Sequence, residues 1–366
     1  MQLTENCIWN SFHELRKQFG YRHIFLTGQK GSGKSTLFEK LKAGILETAL
    51  ITTWAVPRTA VFAGCGKDMQ VQIGVYDPTH ESIDNKMLPC EEGLDTIRKE
   101  ILRISESDED WAAIDEIGYL ETADRAYCEA LVRLMDRKQV LAVIRKQEIP
   151  FLVSLLQRKD AMVIDLDQPF GTAGCVVMAS GMGKRFGGNK LMADFGGRPL
   201  IQSVLTVTED LFERRVVVTR HQDVQELCEK AGIQNVLHDQ PLRSDMVRLG
   251  MEAEGIQNCD RVMFIPSDQP LLQKGTVMSL LLCAANEKDR IWRLTDGVQN
   301  GAPVIFPAWT FPELLQLPEG KGGGAVVKKY PDRVHTLQVQ DPAELEDIDY
   351  KEDLERLQGL KSIIGS

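Results

Sequence analysis

Two glycine-rich stretches in this chain have the residue types and spacing to hold phosphate. The first, Gly28-Gln29-Lys30-Gly31-Ser32-Gly33-Lys34-Ser35, followed by Thr36, fits the pattern G-x-x-x-x-G-K-S/T. Its glycines let backbone N–H groups turn inward around phosphate oxygens, and a helix starting at its end adds partial positive charge. In that chemistry Lys34 reaches the β- and γ-phosphates and Ser35 ligates Mg2+. The second, Ala179-Ser180-Gly181-Met182-Gly183-Lys184-Arg185-Phe186-Gly187, leads on to Lys190. Small residues there let the backbone pass close to a triphosphate, and Arg185 and Lys190 offer cations for a departing pyrophosphate. Two such loops predict two nucleotide sites.

Acidic residues follow two further apolar runs. Trp111-Ala112-Ala113-Ile114 ends in Asp115 and Glu116. Asp115 at a strand end can hold the hydration shell of Mg2+, and Glu116 can polarise an attacking water. Val262-Met263-Phe264-Ile265 leads through Pro266-Ser267 to Asp268, a second candidate for metal. Asp349 is a further candidate metal contact, and equally a candidate cap for a helix over Lys351–Gln358.

These residues need strand ends to position them. Apolar runs predict strands at Arg22–Thr27, Gln70–Tyr76, Trp111–Asp115, Val140–Ile144 and Ala161–Asp165, alternating with helices at Lys34–Leu46, Glu91–Ile104, Ala123–Asp136 and Glu148–Gln157. Such alternation predicts a mostly parallel sheet covered on both faces. The turn chemistry of Asp167-Gln168-Pro169-Phe170-Gly171-Thr172 breaks the pattern, so the boundary falls there, with domains at 1–168 and 172–366. A second α/β domain then runs through strands at Gly174–Ala179, Arg215–Thr219, Asn235–His238 and Arg261–Pro266. Its predicted helices are Leu200–Thr208, Gln222–Ala231, Asp245–Ala253, Lys274–Ala285 and Lys351–Gln358.

Composition sets limits on partners. A net charge of -10 argues against nucleic acid or an anionic membrane, which need concentrated Lys and Arg. The eight cysteines form no CxxC pair and predict free thiols in a reducing cytosol. No apolar run approaches the roughly 18 residues of a membrane helix, and the first residues lack a signal pattern, so a cytoplasmic protein is expected.

Two resemblances sharpen the reading. Gly28–Thr36 together with Ile114-Asp115-Glu116-Ile117-Gly118-Tyr119-Leu120-Glu121 resembles the small nucleoside-triphosphatase family first described from thermophiles, over Arg22 to Asp165. The second loop resembles the MobA-like nucleotidyltransferase superfamily, and within it the molybdenum cofactor cytidylyltransferases, from Gly174 to near Leu360. Arg198-Pro199-Leu200, Ser267-Asp268-Gln269-Pro270-Leu271, Gly301-Ala302-Pro303-Val304 and Asp347-Ile348-Asp349 carry the rest of that match. Ser180 stands where the cytidylyl branch has alanine and the guanylyl branch glycine. Ala302 replaces an expected histidine, and Gly320-Lys321-Gly322-Gly323 replaces Gly-Asp-x-Gly.

The resemblances imply an α/β chain of two domains, a P-loop NTPase sheet followed by a Rossmann-like (GT-A-like) nucleotidyltransferase sheet. They imply hydrolysis of ATP or GTP at the first site. At the second they imply Mg2+-dependent nucleotidyl transfer from CTP or GTP, with CTP favoured, to molybdopterin or another phosphorylated small molecule. Two alternatives stay open: a nucleotide-dependent switch or chaperone that delivers cofactor to a molybdenum enzyme client, and a sugar- or polyol-phosphate nucleotidyltransferase.

Overall fold

Five consecutive buried residues, His23–Thr27, form strand β1, and the rest of the first sheet assembles around it. The computed structural model describes residues 3–66, 69–80 and 86–364. The chain divides into two compact units, Leu15–Pro169 and the residues up to Glu14 together with those from Phe170 onward.

In the first unit the remaining strands are β2 (Thr48–Val56), β3 (Ala60–Cys65), β4 (Met69–Tyr76), β5 (Met87–Pro89), β6 (Trp111–Ile117), β7 (Gln139–Ile144) and β8 (Ala161–Asp165). They lie in the order β5-β4-β3-β2-β6-β7-β1-β8. The pairs β2·β6, β6·β7, β7·β1 and β1·β8 are parallel. Strands buried on both faces read as continuous apolar runs, and β1 and β7 do so. An antiparallel meander, β2-β3-β4-β5, extends this parallel core. Sequence alternation did not show β2 and β3. Only Pro57-Arg58-Thr59 separates them, with Arg58 at φ 54°, a hairpin with no room for a crossover helix. Leu94, Ile97, Ile101 and Ile104 recur at helical spacing along the helix Glu91–Ser105 and join the core beside Leu131 and Leu134 of the helix Arg125–Arg137. Asp124 caps that second helix, accepting from the N–H groups of Ala126 at 2.8 Å and Tyr127 at 3.3 Å.

The second unit holds β9 (Ala173–Ala179), β10 (Arg214–Thr219), β11 (Gln234–Leu237), β12 (Arg261–Pro266), β13 (Ile291–Thr295), β14 (Asn300–Pro307) and β15 (Val334–Gln338). Their order is β11-β10-β9-β12-β14-β13-β15. The first four are mutually parallel, while β14 runs antiparallel to both β12 and β13. The chain moves outward from β9 to β10 and β11, then returns to place β12 on the other side of β9. The strand order therefore reverses between β9 and β12, the position where open α/β sheets bind ligands.

The helix Lys274–Asn286 in this unit is apolar nearly all round, with Val277 to Ala284 buried. Residues from the start of the helix Glu5–Phe19 cover part of it. Ser11 Oγ donates to the Ser279 carbonyl at 3.1 Å, and Ser279 Oγ donates to the Cys7 carbonyl at 3.1 Å. This explains why the first fourteen residues group with the second unit.

Candidate functional site

The first loop leaves β1 at Gly28 and enters the helix Lys34–Ala43. Gly28, Gly31 and Gly33 have φ of 142°, 85° and 92°, a region costly for any side chain. A Cβ on Gly28 would also lie 2.8 Å from Ser32 Oγ. Lys34 Nζ donates to the carbonyls of Gly28 and Gln29, both at 2.8 Å, and so lies across its own loop. The rim residues Gln29, Lys30, Gly31, Gly33, Ser35 and Thr36 are exposed. Ser32 Oγ is buried with no hydrogen-bond partner, an orphaned donor inside a loop of phosphate-binding pattern.

Two groups that the sequence did not flag brace this loop. The Gln29 N–H donates to both carboxylate oxygens of Asp167 at 3.0 Å. Lys146 Nζ in turn bridges Asp165 at 2.7 Å and Asp167 at 2.9 Å. Acids flanking a strand end read as a turn in sequence; the pairing of β8 with β1 puts them behind the loop.

Asp115 and Glu116 lie in the last three residues of β6, which ends at Ile117. The Asp115 carboxyl is raised above its ordinary range by burial first, then by the charges of Glu116 and Glu39, while a hydrogen bond from Ser35 opposes the shift. The Ser35 hydroxyl and the Asp115 carboxylate are thus adjacent oxygen donors, the donor type Mg2+ takes. Glu116 is paired: its Oε1 accepts a hydrogen bond from Arg145 Nε at 2.6 Å and lies 2.5 Å from Nη2 in the same ion pair. The turn beyond is held by Glu121, whose Oε2 accepts the Gly118 N–H at 3.1 Å and whose carboxyl burial pushes up to about 6.

In the second unit, Pro266 pairs with Met178, so β9 and β12 release their following residues side by side. Ser267 Oγ ties the two ends by donating to the Met178 carbonyl at 2.8 Å. Ser180 is buried; its Oγ donates to the Val218 carbonyl at 3.0 Å and sits 2.7 Å from His238 Nε2. Gly183 has φ 57°, and a Cβ there would lie 1.9 Å from the Gly188 carbonyl oxygen, so the loop admits no other residue at that point. The loop ends at Asn189, which bonds Asp223 at 2.8 and 3.0 Å, and delivers Lys190 into the interior.

Lys190 is nearly buried, with 7% side-chain exposure. Its Nζ contacts Asp268 Oδ2 at 2.7 Å, Asp349 Oδ1 at 3.2 Å and the Ile348 carbonyl. Arg185 is exposed and bonds the other oxygen of Asp349 at 3.0 Å. The Asp349 side chain therefore faces the loop cations, and Asp353 bonds the N–H groups of Asp349 and Tyr350 at 3.1 and 2.8 Å instead. Asp347 is raised to about 6 by burial and by neighbouring Asp268.

A cavity of about 580 Å³ opens here, lined by Ser180, Gly181, Lys190, Asp268, Asp347, Arg243 and Asn300 among others. Ala179, Met182, Gly183, Lys184, Arg185 and Asp349 do not line it. Met182, Lys184 and Arg185 are exposed on the loop. The oxygens of Asp268, Asp349 and Ile348 already surround one cation, the Lys190 ammonium. A set of hard oxygen donors of this kind fits Mg2+. Among the described residues no group of three or more His, Cys, Asp or Glu side chains is disposed to hold a metal ion unaided. A cation at either site would then take its remaining ligands from phosphate and water, as Mg2+ commonly does.

Comparison with known proteins assigns both halves. Residues 175–334 match the MobA-like NTP transferase domain, and residues 67–169 match the NTPase domain. The second match takes in Asp115 and Glu116 but begins after the glycine loop. Nucleoside-triphosphatase THEP1 of Thermotoga sp. (strain RQ2) is 26% identical over 156 residues, 40% of this chain and 86% of that protein. A relative named as a probable molybdenum cofactor guanylyltransferase, from Bacillus anthracis, is 29% identical over 124 residues, 33% of this chain. The aligned part spans 62% of that relative's length. A solved nucleotidyl transferase from Methanothermobacter is 21% identical with a TM-score of 0.45, covering 52% of this chain and 97% of that one. No helix among the described residues is long and apolar enough to cross a membrane. The chain is thus a fusion of an NTPase domain with a MobA-like NTP transferase domain, in that order.

Proposed function

We propose that the protein is a bifunctional cytoplasmic enzyme that hydrolyses ATP or GTP at its first site. At its second site it transfers a nucleotidyl group from an NTP to molybdopterin in molybdenum cofactor maturation. The observation that carries the transferase reading is the reversal of strand order between β9 and β12, with Lys190 and Asp268 facing each other in the cavity it opens. The acceptor's phosphate oxygen would attack the α-phosphorus in line. The bond to the bridging oxygen then breaks, and its electron pair leaves on pyrophosphate. Lys190 and Arg185 supply positive charge for the phosphates, and no protein nucleophile is needed. Mg2+ bound by Asp268 and Asp349 would neutralise charge on the triphosphate. At the first site Lys34 and the loop N–H groups hold the β- and γ-phosphates, Ser35 and Asp115 would hold Mg2+, and Glu116 orients water.

The acceptor rests on the names of the guanylyltransferase relatives and on the family motifs. For the base we favour CTP, because Ser180 keeps a side chain where the guanylyl branch has none. The test is a screen of four NTPs against molybdopterin and sugar and polyol phosphates, reading pyrophosphate release. The expected result is release with CTP and molybdopterin. Release with sugar or polyol phosphates alone would contradict the acceptor, and faster release with GTP would contradict the base.

A further inference from the structure

Arg145 belongs to neither sequence motif, yet it occupies the carboxylate that hydrolysis requires. It follows β7, which lies between β6, carrying Asp115 and Glu116 near its end, and β1, which leads into the glycine loop. Leu26, Val143 and Asp115 stand side by side across these three strands. Arg145, two residues past Val143, therefore leaves the sheet level with Gly28 on one side. On the other side is Ile117, whose carbonyl accepts the Arg145 N–H at 3.0 Å. Neighbouring strands are about 4.8 Å apart, so an arginine rooted there reaches the space above either one.

The guanidinium lies over the Tyr119 ring, 5.9 Å from its centroid, donates from Nε to a single oxygen of Glu116 and holds Nη2 2.5 Å from that same oxygen. While it stays, that oxygen is engaged by a hydrogen bond and an ion pair. Lys146, the next residue, is held by Asp165 and Asp167 behind the loop, so Arg145 is the cation of this pair that faces Glu116 on β6.

We propose that Arg145 is a further catalytic residue of the first site. In the nucleotide-free protein it is parked on Glu116, and the terminal phosphate of a bound nucleoside triphosphate draws it away. This rests on the hydrolysis reading above. The exchange has two effects. The planar guanidinium meets the γ-phosphate oxygens, where its fixed fork suits them, and Glu116 becomes free to take a proton. In the step that follows, the water oxygen bonds to the γ-phosphorus. The bond from that phosphorus to the bridging oxygen breaks, its electron pair leaving on the diphosphate, and the water proton passes to Glu116.

The test uses the full chain. Orthophosphate release from ATP and GTP is measured for wild type, Lys34→Ala, Arg145→Ala, Arg145→Lys and Glu116→Gln, beside binding of ADP and of a β,γ-imido ATP analogue. Arg145→Ala is expected to lower kcat about a hundredfold and to weaken the imido analogue about tenfold while leaving ADP nearly unchanged. Arg145→Lys should recover part of the rate. Glu116→Gln should bind the imido analogue at least as tightly as wild type, because the parked state is weakened; this arm stands even if Arg145→Ala fails to fold. Equal losses for ADP and the imido analogue, an unchanged kcat in Arg145→Ala, or weaker analogue binding in Glu116→Gln would each overturn the proposal. If Lys34→Ala hydrolyses normally, the P-loop reading falls with it. If Lys34→Ala is dead and Arg145→Ala is normal, the inference about Arg145 alone falls.

Discussion

In both sites a loop or strand-end cation is paired with a strand-end or loop carboxylate. Lys190 holds Asp268 and Asp349, Arg185 holds Asp349, and Arg145 holds Glu116. Of these cations Lys190 is the buried one, with 7% side-chain exposure, and its two carboxylate partners offset the cost of burying its charge. Ser180 belongs to a different kind of contact. Its hydroxyl bridges Val218 and His238 and so fixes the loop against β10 and the segment after β11. Ser180→Gly removes that bridge and opens space beside the cavity. Its ratio of pyrophosphate release with GTP over CTP should rise about tenfold or more, on the scale of about 1–3 kcal/mol that one pocket group confers. An unchanged ratio would show that Ser180 does not select the base.

At the scale of the element, β1 and β7 carry the first site and are joined by a buried histidine. Val140 N–H donates to His23 Nδ1 at 3.1 Å, which leaves the ring's other nitrogen protonated and 3.3 Å from Asp160 Oδ2. Burial lowers the His23 pKa to about 4, outweighing the attraction of Asp160. The unfolded chain, with an ordinary histidine near 6.5, takes up the proton first as pH falls. The contribution to stability is therefore full above about 6.5 and is lost as pH drops towards 4, amounting to roughly 3 kcal/mol. His23→Asn keeps an acceptor for Val140 and removes the titration. Its melting temperature should fall less steeply than wild type between pH 7 and pH 4.5; an identical slope would exclude His23 as the cause.

How far the elements could be read depended on burial. β1, β7, β9 and β12 are nearly continuous apolar runs because both faces are covered, and these strands position Lys34, Asp268 and Ser180. β2 is mostly half-exposed or exposed and mixes threonine with apolar residues, so periodicity did not mark it. β13 and β14 form a local hairpin over residues 296–299, but their other partners, β15 and β12, come from distant chain, which local pattern does not encode. The helix Glu5–Phe19 carries a helical signal, buried Ile8, Phe12 and Leu15 at spacings of four and three, although no helix is expected there from the strand-and-helix alternation that begins at Arg22. Residues that act through local sequence, such as Gly28, Gly33, Lys34 and Ser35, were legible as a motif. Arg145, Lys146, Asp165 and Asp167 were not, because their placement comes from strand order alone.

At the scale of the whole molecule, sequence order and structural grouping part company at the N-terminus. Phe12 is fully buried and belongs with the second unit although it precedes the first. Phe12→Ala should therefore cost the transferase unit about 3–5 kcal/mol. On heating, pyrophosphate release should be lost at a lower temperature than in wild type, with orthophosphate release from the first site less affected. Earlier loss of hydrolysis would place Phe12 in the wrong unit.

The central claim is that one chain carries two chemically separate nucleotide sites. The most direct measurement is orthophosphate and pyrophosphate release, side by side, from wild type, Lys34→Ala and Asp268→Asn, each checked for an unchanged melting temperature. The account predicts that Lys34→Ala loses orthophosphate release and keeps pyrophosphate release, and that Asp268→Asn loses about a hundredfold or more of pyrophosphate release and keeps orthophosphate release. Loss of both products in either folded variant, or near-normal pyrophosphate release in Asp268→Asn, would contradict it.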